Sequence, residues 1–107
     1  MLEKKIGNQT VIFKKKPYII GAAAAGGKKE SEGPLNQWFD LTIQDDMYGE
    51  KTWEKAESKL LKETMKLAMK KAGKKKDEID LVLSGDLLNQ IMSSSFMARD
   101  LQIPFLG

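Results

Sequence analysis

Asp86, Asn89, Gln90, Ser93 and Ser94 put five hydrogen-bonding side chains within nine residues. A carboxylate, two amides and two hydroxyls in so short a span suit a small polar ligand held by several directed bonds. Phe96 and Met92 lie close enough in sequence to wall such a site. The same residues also suit local work. Asp86 can fix a turn, and Ser93 to Ser95 can cap a following helix. Composition leaves both readings open. Arg99 is the only arginine in the chain. It can grip a carboxylate with two parallel bonds, but a structural ion pair with Asp100 or another nearby acid is the favoured reading.

The remaining chemical motifs are weaker. Gly21 to Gly26, with four alanines between, resembles the opening of a phosphate-binding loop. Position 27 is glycine where that loop needs lysine, and no Ser or Thr follows to hold magnesium. Close packing of a buried strand explains these small residues better. Asp45, Asp46 and Glu50 lack the alternating spacing and central glycine of a calcium loop, so they read as a solvated loop. Lys70, Lys71, Lys74, Lys75 and Lys76 form the tightest basic cluster. They read first as a helix end where cations complement the dipole, and second as a contact for an anionic membrane surface or acidic partner.

Composition bounds what this chemistry can be. The chain has 107 residues, no cysteine and no histidine. Within these residues there is no disulfide framework, no thiolate or imidazole metal site, and no Ser-His or Cys-His pair. No metal ligand set and no cofactor are expected. A hydrophobic fraction of 41% and a charged fraction of 31% suit a globular domain. Charge is uneven: +6 over residues 1–29, −6 over 30–50, +2 over 51–69 and +1 over 70–107. The basic residues are nearly all lysine and are not interleaved with aromatics, so nucleic acid is not the expected partner. No apolar run is long enough to span a bilayer. No apolar stretch follows the basic start, so no signal peptide is expected.

The elements that must position these residues are readable in outline. Gln9 to Phe13 reads as a short strand. Tyr18 to Ala24 reads as a longer one, apolar throughout and so expected to be buried on both faces. Gly26 to Pro34 reads as an exposed loop. Leu35 to Tyr48 is too apolar for a linker and is expected to fold over something. Trp53, Ala56, Leu60, Leu61, Met65, Ala68 and Ala72 recur at helical spacing. Thr52 is placed to cap that helix and Gly73 to end it. Leu81 to Leu83 reads as a strand, Ser95 to Leu101 as a short helix, and Ile103 to Gly107 as the start of another strand. Strand, helix, strand predicts a right-handed crossover in a parallel sheet, an α/β fold. In such sheets ligands bind beyond the carboxyl ends of the strands, which is where Asp86 to Gln90 falls.

Several strings then match one family in order. They are Lys29-Glu30 before Gly33-Pro34-Leu35, Asp46 to Tyr48, Trp53-Glu54-Lys55-Ala56-Glu57, Ile79-Asp80, Gly85-Asp86-Leu87-Leu88-Asn89-Gln90 and Ile103-Pro104-Phe105-Leu106-Gly107. From about Thr10 to Gly107 the chain resembles the N-terminal part of the stage V sporulation protein AD family, thiolase-like proteins of endospore-forming bacteria. The resemblance implies that residues 1–107 are the N-terminal part of a thiolase-like domain. The β-α-β unit would belong to a mixed five-stranded sheet that is incomplete here. The remainder of that domain and a second, similar half would be absent from this chain. It implies a non-enzymatic role: binding dipicolinic acid, or its calcium chelate, within the spore's dipicolinate uptake machinery. It implies other membrane proteins of the same sporulation operon as partners and a homodimer of the full-length protein. It also implies a peripheral location at the inner spore or forespore membrane. The alternative is an acyl-condensing enzyme of the thiolase or ketoacyl-synthase type with its nucleophile beyond Gly107. No catalytic residue carries over. The loop from Asp86 to Ser95 is the expected pocket neighbourhood, with Asn89, Gln90, Ser93 and Ser94 as the candidate ligand-binding residues. Asp86 would repel a dianion and is expected to fix the loop.

Overall fold

The computed structural model describes residues 4–88 and 92–107. Its dominant element is a helix, α2, at Trp53–Ala72, and local chemistry sets both ends. Thr52 Oγ1 accepts the Lys55 N–H at 3.2 Å, satisfying one of the donors a helix start leaves unpaired. Gly73 takes the left-handed conformation at φ 68°. From there Gly73 N–H donates to Lys70 O at 3.1 Å and Lys74 N–H to Met69 O at 2.9 Å, closing the last turn. Both limits fall where the sequence places them.

The strands are short. β1 (Lys5–Ile6) and β2 (Thr10–Val11) form an exposed antiparallel hairpin. Its turn uses Gly7 at φ 64°. β3 (Ala25–Gly26) pairs in parallel with β4 (Leu41–Thr42), with Ala25 opposite Leu41. Between them, residues 26–34 are more ordered than the expected loop. A short helix, α1, covers Lys28–Glu32, its start held by Glu30 Oε2 accepting the Gly27 N–H at 2.9 Å. β5 (Val82–Leu83) pairs in parallel with β6 (Phe105–Leu106), and α3 (Met92–Leu101) connects them. This is the β-α-β crossover, formed one unit later in the chain than the sequence reading places it.

Tyr18 to Ala24 departs from expectation. It is neither assigned as a strand nor buried: Ile19 is 92% exposed and Tyr18 86%. A strand apolar on both faces needs a partner strand on each edge and a layer on each side. Here only Ala25–Gly26, just beyond the run, finds a partner strand. The small residues instead follow α2. Gly21 lies so close to Ala72 that an added Cβ would sit 2.8 Å from its backbone nitrogen. Ala23, Ala24 and Ala25 line a cleft of about 330 Å³ with Leu60, Leu61 and Thr64 of α2. Among the described residues, the strands form three separate two-stranded sheets instead of one.

The core sits where α2, α3, β5 and β6 meet. Val82, Met97, Leu101 and Ile103 are buried together, with Leu61, Met65, Met69, Ile79 and Phe105 packed against them. Asp40 ties the β3–β4 pair to the far end of α2. One carboxylate oxygen accepts the Ala24 N–H at 2.7 Å and the other pairs with Lys71. These contacts hold its carboxyl below the ordinary range, the Lys71 bond contributing most and the Ala24 N–H next.

Candidate functional site

The segment after β5 is fixed by a small set of bonds. Ser94 and Ser93 are both fully buried, at 0% exposure. Asp86 Oδ2 accepts the Ser94 N–H at 2.9 Å, so it binds the first turn of α3 as a cap does. Ser84 Oγ donates to Ser94 Oγ at 3.0 Å, joining the end of β5 to the same turn. Ser93 Oγ donates to Glu54 O at 3.2 Å, fastening α3 to the first turn of α2. Glu57 Oε2 accepts the Leu87 N–H at 3.3 Å and anchors the loop from the other side. The loop is therefore clamped to α2 at two points and closed on itself at two more.

Of the residues expected to contact ligand, Ser93 and Ser94 are brought together at the start of α3. Their hydroxyls are engaged within the protein. Asn89 and Gln90 lie outside the described residues. Asp86 takes the loop-fixing part expected of it. Arg99 does not pair with Asp100. Its guanidinium carbon stands 5.0 Å from the centre of the Phe96 ring, and Asp100 pairs with Lys62 at 3.6 Å. The reason is helical geometry: neighbours one residue apart on α3 point in different directions.

Beside the loop, α2 and α3 enclose an open cleft of about 330 Å³, lined by Glu54, Lys55, Lys59, Lys62, Phe96 and Arg99 among others. Its four cations stand beside three carboxylates, Glu50, Glu54 and Asp100, so the cleft is of mixed charge. Sequence spacing did not reveal it, because its cations come from two helices that lie far apart along the chain. The one usable signal was helical period: Lys55, Lys59 and Lys62 recur at the four- and three-residue steps of one helix face.

The acidic stretch is structural. Asp45 Oδ1 accepts the Met47 N–H at 3.1 Å and Oδ2 the Gly49 N–H at 3.0 Å. Lys59 Nζ donates to Tyr48 O at 2.9 Å and lies 4.2 Å over the Tyr48 ring. Among the described residues, no group of three or more His, Cys, Asp or Glu is placed to hold a metal ion. Also among them, no helix is long and apolar enough to cross a membrane.

A long helix leading into a parallel β-α-β unit, with a hydrogen-bonded loop beyond the first strand, defines an α/β protein with its loop at the carboxyl end of the sheet. Comparison with known proteins narrows this. The family model described as stage V sporulation protein AD matches residues 7–107. Stage V sporulation protein AD of Bacillus subtilis (strain 168) is 42% identical over 103 residues, covering 96% of this chain. The chain belongs to the stage V sporulation protein AD family. It spans 30% of the length of that curated relative.

Proposed function

We propose that this chain is part of the dipicolinic-acid-binding component of the spore's dipicolinate uptake machinery, and that it acts by binding and not by catalysis. The observation that carries the reading is the family match across residues 7–107. The parallel β5–α3–β6 unit behind a long α2 supports a thiolase-like architecture for the complete protein. The ligand is dipicolinic acid or its calcium chelate. Asn89 and Gln90 are the proposed ligand donors. Ser93 and Ser94, already engaged, hold that loop in place against α2. Other membrane proteins of the same operon recruit the protein peripherally to the inner spore membrane, and the full-length protein works as a homodimer.

Calorimetric titration of the intact protein with dipicolinate, with and without calcium, tests this. Replacing Asn89 and Ser93 together with alanine should weaken binding by about 1–3 kcal/mol, the loss expected of polar contacts and their geometry. Unchanged affinity would return the loop to a purely structural role. Absence of binding by the wild-type protein would remove the ligand assignment itself.

A further inference from the structure

The β1–β2 hairpin and the run after it carry charge that nothing in the candidate site uses. Residues 4–29 hold seven lysines and no acid. Five of them, Lys4, Lys5, Lys14, Lys15 and Lys16, belong to one arm, in which every residue from 4 to 22 is exposed. The arm folds back on itself. Lys5 stands opposite Val11, and the Ile12 N–H donates to Lys4 O. That pairing sets the first two lysines alongside the residues that lead into the other three. Among the described residues, none of the five forms an ion pair. Like charges held this close repel one another unless an anionic surface neutralises them. Phe13 and Tyr18, 51% and 86% exposed, stand at the two ends of the lysine run 14–16. Gly21 packs against Ala72, which seats the root of the arm beside the last turn of α2. That end of α2 adds lysines, but Lys71 and Lys74 there are paired with Asp40 and Glu78. The arm is the part whose charge has no internal answer.

We infer that this arm lies on an anionic lipid surface, with its lysines at the phosphates and the Phe13 and Tyr18 rings among the headgroups. The contact rests on the peripheral location proposed above, and it names the face that meets the bilayer. Charge complementarity sets the sign of the partner. Each lysine near an anionic bilayer raises partition about fivefold. The rings set its kind. Aromatic side chains settle at the level of the headgroups, and a basic cluster joined to apolar groups supplies the two signals that peripheral binding needs. A polyanion in solution would use the lysines and leave both rings in water. The rings flank the lysines and do not alternate with them, which suits a headgroup layer better than a row of stacked bases. The arm is separate from the loop after β5, and the contact stands whether or not the protein binds dipicolinate.

The test is co-sedimentation of the intact protein with vesicles of phosphatidylglycerol and phosphatidylcholine in equal parts, beside vesicles of phosphatidylcholine alone. The protein should bind the mixed vesicles at least tenfold more tightly, and added salt should weaken that binding by screening the lysines. Lys15→Ser combined with Lys16→Ser should lower the affinity at least tenfold. Lys51→Ser combined with Lys66→Ser removes the same charge from exposed positions elsewhere and should leave binding nearly unchanged. Phe13→Ser should lower the part of the binding that persists at high salt, and no change there would overturn the place given to the rings. Equal binding to the two kinds of vesicle, or equal losses in the two double variants, would overturn the proposal. Capture by soluble poly-glutamate, lost in the variant at 15 and 16, with no binding to vesicles would overturn the choice of lipid in favour of an acidic protein surface. The vesicles hold neither dipicolinate nor other proteins, so failure here removes direct lipid contact and leaves the calorimetric test of ligand binding to its own result.

Discussion

At the scale of single residues, the turn around Asp45 shows how a carboxylate can be bound by backbone alone. Its two oxygens accept the N–H groups of Gly49 and Met47, and those bonds, Gly49 first, hold its pKa below the ordinary 3.8. A lowered folded-state value means the contribution to stability is fully present above about 3.9, the unfolded value. It is lost as pH falls through the folded one. Asp45→Ala should therefore lower Tm at neutral pH, and the gap to wild type should close as the solution is taken below that value. Thermal melts followed by circular dichroism between neutral and acid pH measure it, and a gap that stays constant with pH would exclude the charge as the cause. The part of Asp86 was legible in sequence because its partner is eight residues away; Asp45, read as part of a solvated loop, binds N–H groups two and four residues on. The bond from Ser93 to Glu54 spans 39 positions. Nothing local in Ser93-Ser94-Ser95 distinguishes a serine spent on another helix from one facing a ligand.

At the scale of elements, the two long helices differ in how they end, and the difference makes a prediction. α2 stops at a glycine in the left-handed region, which that residue occupies at no steric cost. α3 stops the same way without one. Gln102 takes φ 57°, its N–H donates to Arg99 O at 3.1 Å, and Ile103 N–H follows to Ala98 O at 3.2 Å. A side-chain-bearing residue held there costs about 1 kcal/mol. Gln102→Gly should raise stability by about 0.5–1 kcal/mol, read as a shift in the urea midpoint with an unchanged slope. A lower midpoint would mean that the Gln102 side chain contributes more than its backbone costs. This asymmetry also marks what sequence conveys about elements. α2 was legible in its period and at both ends because Thr52 and Gly73 are strong local signals. The end of α3 was not, because Gln102 carries no preference for its conformation and is held there by Ile103, buried in the core behind it. The run at Tyr18 was legible as apolar, not as unpaired. What it packs against is set by neighbours far along the chain, and in this structure those are Ala72 and the alanine-lined cleft on α2 instead of flanking strands.

At the scale of the whole molecule, surface area decides. A self-contained monomer of 12.0 kDa exposes about 6,000 Å², whereas this chain exposes 8572 Å². Its radius of gyration is 16.5 Å, against about 13 Å for a compact domain of its length. The excess is concentrated in large apolar side chains. Tyr18, Ile19 and Ile20 stand out from the unpaired run, and Leu83 and Leu106 from the β5–β6 pair. Large apolar side chains exposed in this number mark regions built to be covered. Residues 1–107 prepared alone should therefore bind the dye ANS strongly at neutral pH. Ile19→Lys combined with Leu83→Lys should at least halve the fluorescence while leaving helical content and the melting midpoint nearly unchanged. The reasoning is that neither side chain belongs to the Val82–Met97–Leu101–Ile103 core, so charging them removes dye sites without opening a cavity. A collapse of helical content in the double variant would show that these residues already support the packing of α2. Absent dye binding in the wild-type chain, sedimentation would show whether copies cover one another through these side chains.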